Sequence, residues 1–268
     1  METEIGGRRF RWGSRVYVMG IVNVTPDSFS GDGVLDADLA VRQGLRMVSE
    51  GVDILDVGGE STRPGHEPVS AEEEGARVLP VVRRLRREAG VPVSIDTSKL
   101  EVAEAALEAG AAAVNDVWGL QRSPGIAGLA VRHGAALVLM HNQEGTAYTR
   151  DLMEEIIASL RHSLTQALEA GMPRERVIVD PGIGFGKTAE HNLVVLRRLG
   201  ELRVLGQPIL VGTSRKSFLG KLFGQAPGER LEGTAASVTA AILHGADLVR
   251  VHDVKEMTRV ARVAEALR

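Results

Sequence analysis

The chain of 268 residues contains no cysteine, which removes disulfides, thiolate nucleophiles and iron–sulfur clusters from consideration together. Lysine is almost as scarce. Of 32 basic residues only Lys99, Lys187, Lys216, Lys221 and Lys255 are lysine, so arginine supplies the ordinary charged surface. Long basic runs are also missing, and a net charge of -3 spread over both halves offers no electrostatic footprint for nucleic acid or a membrane surface. No apolar stretch is long enough to span a bilayer, and the opening Met1-Glu2-Thr3-Glu4 has neither the basic nor the apolar region of a signal peptide. A cytoplasmic location is the default expectation.

The sequence does contain eight short apolar runs, at 16–22, 53–57, 93–95, 113–114, 136–140, 177–179, 209–211 and 248–251, separated by helix-like stretches rich in Ala, Leu, Glu and Arg. Eight strands alternating with helices predict an α/β fold, a parallel (β/α)8 TIM barrel. The length is close to the roughly 250 residues usual for that fold, and 44% hydrophobic residues supply a large core. A single domain over 1–268 is expected. Residues 6–12, with Phe10 and Trp12, precede the first run and are expected to form a strand or hairpin closing the barrel bottom.

Active sites of such barrels form at the C-terminal ends of the strands, and almost every run here stops at a ligand-binding type of residue. The first ends at Asn23 and the second runs into Gly58-Gly59-Glu60-Ser61-Thr62-Arg63. The later ones end at Asp96, Asn115-Asp116, His141, Asp180 and Gly212-Thr213-Ser214, and the last carries Arg250 and His252. Each lysine follows a run's end closely, and Lys187 and Lys216 stand out as ligand-binding candidates because of the motifs around them. The first lies in Asp180-Pro-Gly-Ile-Gly-Phe-Gly-Lys187-Thr188, which looks like a phosphate loop. The spacing refuses that reading, because Pro181 stands where a P-loop needs glycine and Lys187 where a dinucleotide fingerprint needs its third glycine.

What remains is a carboxylate at a strand edge, able to accept two parallel N–H donors from a planar heterocycle. Asp96, Asn115 and Asp180 together suit an amino-pyrimidinone edge, and Lys216 supplies a positive donor to a carbonyl or ring nitrogen. Asn23, Thr62, Arg63, Arg250 and His252 come from the first, second and eighth runs, which become neighbours when a barrel closes. They suit a phosphate or pyrophosphate.

In these segments the chain resembles the dihydropteroate synthases, the pterin-binding enzymes of folate biosynthesis. The resemblance covers nearly the whole chain from Val18. It rests on Asn23-Val-Thr-Pro-Asp-Ser-Phe-Ser30, Gly59-Glu-Ser-Thr-Arg-Pro-Gly65, Ile95-Asp-Thr-Ser-Lys99, Val114-Asn-Asp116, residues 180–188, residues 212–220 and Arg250-Val-His-Asp253, in the family's order. Two loops depart from the usual pattern: Ser30-Gly-Asp-Gly33 after the first run, and Asn142-Gln-Glu-Gly145 after His141.

The resemblance implies a transferase that condenses 6-hydroxymethyl-7,8-dihydropterin pyrophosphate with p-aminobenzoate, giving 7,8-dihydropteroate and pyrophosphate. In the family's mechanism the carbon–oxygen bond breaks first, and a pterin-stabilised cation is captured by the arylamine. By analogy Asp96 stabilises that cation, while Asn115, Asp180 and Lys216 hold the pterin edge. Mg2+ held partly by Asn23, with Thr62, Arg63, Arg250 and His252, neutralises the leaving pyrophosphate. Arg250 is assigned to the leaving group alone. Phe185, Pro64 and the 25–33 loop are expected to form the p-aminobenzoate slot, with Ser217 at its carboxylate. That loop and residues 58–65 are expected to order when the anion binds.

Rival readings are a pterin-binding methyltransferase acting on methyltetrahydrofolate, which has little use for Arg63, Arg250 and His252, and a non-catalytic pterin-binding barrel. A metal-dependent barrel hydrolase lacks its paired histidines here, and a Schiff-base aldolase lacks an interior lysine. Small and apolar residues around most of the 233–245 stretch fit the family's homodimer through its late helices.

Overall fold

The computed structural model describes residues 1–25, 37–60 and 68–268. It opens with a hairpin of β1 (Glu2–Ile5) and β2 (Arg8–Arg11), antiparallel with Ile5 opposite Arg8. The turn between them is Gly6-Gly7 with φ of 57° and 82°. Two successive left-handed residues match the right-handed twist of a hairpin, and only glycine takes both without strain.

Eight parallel strands follow: β3 (Tyr17–Asn23), β4 (Ile54–Gly58), β5 (Val93–Asp96), β6 (Ala113–Asp116), β7 (Ala136–Met140), β8 (Val177–Asp180), β9 (Leu210–Val211) and β10 (Leu248–Val251). They are hydrogen-bonded in the order β8-β7-β6-β5-β4-β3-β10-β9. A parallel bridge between Val179 and Ile209, with the Val179 N–H donating to Pro208 O at 3.0 Å, joins the two ends and closes the barrel. Each of the eight expected runs is a strand.

Around the barrel lie α1 (Ala37–Ser49), α2 (Ala71–Glu88), α3 (Leu100–Glu108), α4 (Gly125–His133), α5 (Leu152–Glu169), α6 (Ala189–Arg197), α7 (Ser217–Phe223), α8 (Leu231–Leu243) and α9 (Val254–Ala266). Their ends follow from local chemistry. The Ser70 side chain accepts the Glu73 N–H at the start of α2, three glutamates fill its first turn, and Arg86 and Arg87 sit in its last. That distribution complements the helix dipole. Among the described residues no helix is long and apolar enough to cross a membrane.

The strands bury both faces, with a period of two deciding which face each residue serves. Tyr17, Met19, Ile54, Ala113, Ala136, Val138, Ile178, Leu210 and Leu248 form one buried cluster with Ile5 and Phe10 of the hairpin. This is the barrel interior with its bottom plugged, and Phe10, Trp12 and Tyr17 stack there with ring centroids 4.9–5.6 Å apart. The alternate residues pack into the larger cluster with the helices. Gly20 faces that layer, and a Cβ there would meet Met47, Val52 and Val254 at 2.9–3.2 Å.

Interior parity carries up each strand to its end. Two residues above Ile54 is Asp56, above Ala113 is Asn115, above Ile178 is Asp180 and above Leu248 is Arg250, with Asp96 opposite both Gly58 and Asn115 in register. The polar residues are therefore the top layer of the same stack, whose lower layers are apolar apart from the buried Ser94 two residues below Asp96.

Phe10→Ala removes the fully buried ring at the bottom of that stack. We expect urea unfolding to show a loss of about 3–5 kcal/mol, with pterin affinity unchanged because the site lies at the opposite end. A drop in affinity matching the stability loss would show that plug and site are not independent.

Candidate active site

Asp56 is fully buried in β4, and its Oδ2 accepts from Asn115 Nδ2 at 3.0 Å and from Arg250 Nε at 2.6 Å. Arg250 Nη2 donates at 2.6 Å to Asp96 Oδ2, so one guanidinium clamps two carboxylates. The Asp56 contact also decides how Asn115 presents itself: one of its two N–H donors is taken, which orients the amide and leaves the second N–H and the carbonyl oxygen for other partners. Asp56 Oδ1 is buried without a hydrogen-bond partner among the described residues.

Asp180 closes the cluster from β8. Its Oδ1 accepts the Gly182 N–H at 2.7 Å, a local turn contact that leaves Oδ2 and the remaining lone pairs for other donors. Lys216, just before α7, lays its ammonium over the Phe185 ring with 4.0 Å to the centroid. Gly184 makes room for it, since a Cβ there would stand 3.0 Å from Lys216 Cδ, and the φ of 83° suits glycine in any case. A cavity of about 360 Å3 opens beside Asp96 and Phe185, lined also by Thr97, Val117, Trp118 and Asn142. That volume falls within the size range of small-molecule sites.

Burial dominates the electrostatics. It pushes Asp180 up to about 6, against the Gly182 N–H and the cations of Lys216 and Arg250. Burial pushes Asp96 up to about 7; Arg250 opposes that rise, and the charges of Asp56 and Glu74 reinforce it. The 2.6 Å contact with a permanently charged guanidinium favours the ionised form of Asp96 against that rise. Lys216 is lowered to about 8 by burial and then by Arg250.

Sequence expectation and structure differ at three places. Arg250, expected to serve the leaving group alone, is bound to two carboxylates of the other cluster, because interior parity aims it into the barrel mouth between β3 and β9. Lys187, expected near a ligand, is buried with its Nζ 2.9 Å from His141 Nδ1 and 3.0 Å from Phe185 O. The glycines before it serve packing: a Cβ at Gly182 would lie 1.9 Å from His141 O. Asp56 was not singled out at all, although a charge at interior parity within the apolar run Ile54-Leu55-Asp56-Val57 was the signal that could have found it.

The other proposed contacts have definite places. Asn23 is the last residue of β3, half-buried and in register with Gly58. His252 follows β10, its Nδ1 3.0 Å from Ser214 Oγ; burial, then Arg250 and Arg215, lowers it to about 3. Phe185 is half-buried against Lys216, and Ser217 is exposed at the first turn of α7. Thr62, Arg63 and Pro64, with residues 26–33 of the p-aminobenzoate slot, lie outside the described residues. At the root of the second segment Lys99 pairs with both Glu60 and the buried Glu74, and Arg77 Nη1 donates to Gly59 O at 2.9 Å. Among the described residues no cluster of three His, Asp or Glu side chains forms a metal site.

Asp180 also yields a stability test. Its unfolded carboxyl ionises near 3.8 and its folded one near 6, so the folded state holds the extra proton between those values and stability falls as pH rises through them. Asp180→Asn keeps an acceptor for Gly182 and lacks that slope. We expect it to gain on the wild type across this window and level off above it, by about 1–3 kcal/mol. Urea unfolding at a series of pH values checks this, and a pH-independent difference would rule it out.

Comparison with known proteins identifies the family. The profile of the pterin binding enzyme family matches residues 19–252. The chain is 47% identical over 266 residues to the dihydropteroate synthase of Clostridium beijerinckii, covering 98% of each protein. The crystal structure of dihydropteroate synthase from Clostridium difficile in the presence of pteroic acid matches with a TM-score of 0.93 at 49% identity, over 96% of this chain and 98% of that one. The Xanthomonas albilineans enzyme in complex with 7,8-dihydropteroate matches with a TM-score of 0.91 at 39% identity, over 100% of this chain and 98% of that one. The chain belongs to the dihydropteroate synthase family of pterin-binding enzymes.

Proposed function

We propose that this chain, as a single (β/α)8 domain, condenses 6-hydroxymethyl-7,8-dihydropterin pyrophosphate with p-aminobenzoate, using the mouth of the barrel for the pterin. The observation that carries the reading is the gathering of Asp96, Asn115 and Asp180 at the strand ends of the barrel mouth, with the charges of both aspartates acting on the Lys216 ammonium, in a chain 47% identical to a dihydropteroate synthase over 98% of its length.

The roles follow from which groups are left unused. Asp180 accepts from the amino and ring N–H groups of the pterin with its free oxygen. Asn115 offers the carbonyl that Asp56 leaves available, and Lys216 donates to a ring acceptor. The carbon–oxygen bond to the leaving group breaks, positive charge develops on the pterin methylene, and the ionised Asp96 carboxylate stabilises it. The arylamine nitrogen then forms the new bond and releases a proton. Phe185, held against Lys216, walls the p-aminobenzoate slot with Pro64 and the first loop, and Ser217 receives its carboxylate.

On the leaving-group side Asn23, Thr62, Arg63 and His252 gather the pyrophosphate, and Arg250 contributes while holding Asp96. Asn23 is a single hard oxygen ligand, which fits a Mg2+ that keeps most of its shell as water and substrate phosphate. When bound, Mg2+ neutralises charge on the departing pyrophosphate. The homodimer expected of the family finds support in α8, where Leu231, Ala236 and Leu243 are exposed on a helix of small and apolar residues.

Turnover of the pterin pyrophosphate and p-aminobenzoate to dihydropteroate tests the reaction. Asp180→Asn tests the pocket, because an amide cannot accept two N–H donors with the strength of a carboxylate. Calorimetry with an unphosphorylated pterin should show a loss of about 1–3 kcal/mol or more. Unchanged affinity would remove Asp180 from the site.

A further inference from the structure

Ser214 has a hydroxyl with two contacts, both to His252. Its Oγ accepts the His252 backbone N–H at 3.1 Å and lies 3.0 Å from the Nδ1 of the same residue's ring. The serine is buried, and among the described residues its hydroxyl has no further partner. We propose that Ser214 is a positioning residue for the leaving group: it fixes His252 as the Nε2–H tautomer, so the ring meets pyrophosphate as an uncharged hydrogen-bond donor. The inference rests on the reading of His252 as a leaving-group contact.

The argument is one of satisfaction. With the backbone N–H already donating to Oγ, the hydroxyl proton has one acceptor within reach, the lone pair on Nδ1. Were Nδ1 protonated instead, Oγ would take two donors and its own proton would be buried with nowhere to go, which buried hydroxyls rarely tolerate. An imidazolium is disfavoured first by burial and then by the positive charges of Arg250, Arg215 and Lys216, with Asp253 acting in the other direction. Asp253 is itself engaged, accepting from Arg215 Nε at 3.0 Å. A neutral ring that accepts at Nδ1 must carry its hydrogen at Nε2. That nitrogen has no partner among the described residues, and the ring is partly exposed after β10.

The backbone around Ser214 is built to hold this pose. Arg215 sits in the left-handed region at φ 56°, unusual for a side chain of its size. Its N–H donates to Thr234 Oγ1 at 3.1 Å, its carbonyl accepts from Arg230 Nη1 at 3.0 Å, and its guanidinium pairs with Asp253. Three contacts thus pin a strained residue between Ser214, which serves the anion side, and Lys216, which serves the pterin. The same turn sets both.

The test is nitrogen NMR on enzyme labelled with 15N-histidine, which has seven histidines, with His252 assigned from its loss in His252→Ala. The expected spectrum has an unprotonated Nδ1 and a protonated Nε2, unchanged between about pH 5 and pH 8. Ser214→Ala should average the two tautomers and weaken pyrophosphate binding about 3- to 10-fold, and Ser214→Thr should restore both. A protonated Nδ1 or an imidazolium in the wild type overturns the proposal without any variant being needed. So does a Ser214→Ala protein with unchanged tautomer and affinity. If His252→Ala itself leaves pyrophosphate affinity intact, the leaving-group reading of His252 fails, an outcome separate from the tautomer result.

Discussion

The double ion pair of Arg250 with Asp56 and Asp96 is the constraint on which the site depends. Asp56 and Asp180 are buried at the barrel mouth beside Asp96, where burial and then the Asp56 charge raise the affinity of Asp96 for a proton and Arg250 opposes them. Arg250 is the permanently charged group in contact with two of these aspartates. Its fork favours the ionised form of Asp96 against the pull of burial and holds Asp56, which orients Asn115. Lys216, lowered by the same Arg250, is a weaker cation that a polar ring can engage directly. In the proposed function the pterin pocket and the anion pocket are joined through this one side chain.

Much of this was legible in the sequence. Runs that stop at polar residues fixed where the strands end, and a parallel barrel converts those ends into one face. The period of two then made Asp96, Asn115, Asp180 and Arg250 interior residues, which is why a pattern of spacing anticipated that they share one barrel mouth. Partnership was not legible in the same way. Nothing local to Arg250 states that it spans to β4 and β5, because the contact to Asp56 crosses 194 positions and that to Asp96 crosses 154. Lys187 drew attention because it ends a glycine-rich run, in which Gly182 and Gly186 pass the backbone of His141 and Gln143 too closely for a Cβ and Gly184 makes room for Lys216, while the Lys187 ammonium is buried against His141 and Phe185 O. Ser214 lay within a motif that drew attention to Lys216, and its role depends on a residue in a different strand connection.

The site is also where the fold gives up stability. Below it, the interior stack from Ile5 and Phe10 upward is filled and apolar apart from Ser94, and the helix layer is a continuous packed cluster. At the top, two carboxylates are pushed upward and two lysines downward by burial. Each shift is a free-energy penalty on the ionised form that a matching ligand relieves. A pocket that holds a planar, polar heterocycle by charge-assisted hydrogen bonds is built at that expense.

The central claim is that Arg250 serves both halves of the site. The direct measurement is a pair of calorimetric titrations of Arg250→Met, one with an unphosphorylated pterin and one with pyrophosphate and Mg2+, alongside a thermal melt to confirm folding. Loss of the guanidinium removes the cation that opposes the burial-driven rise of Asp96, so its carboxyl binds a proton more readily, and leaves Asp56, which orients Asn115, without its counter-charge. Pterin affinity should therefore fall by about tenfold or more, together with that for pyrophosphate. A folded variant that loses pyrophosphate and keeps full pterin affinity would contradict the account, leaving Arg250 with the leaving group alone.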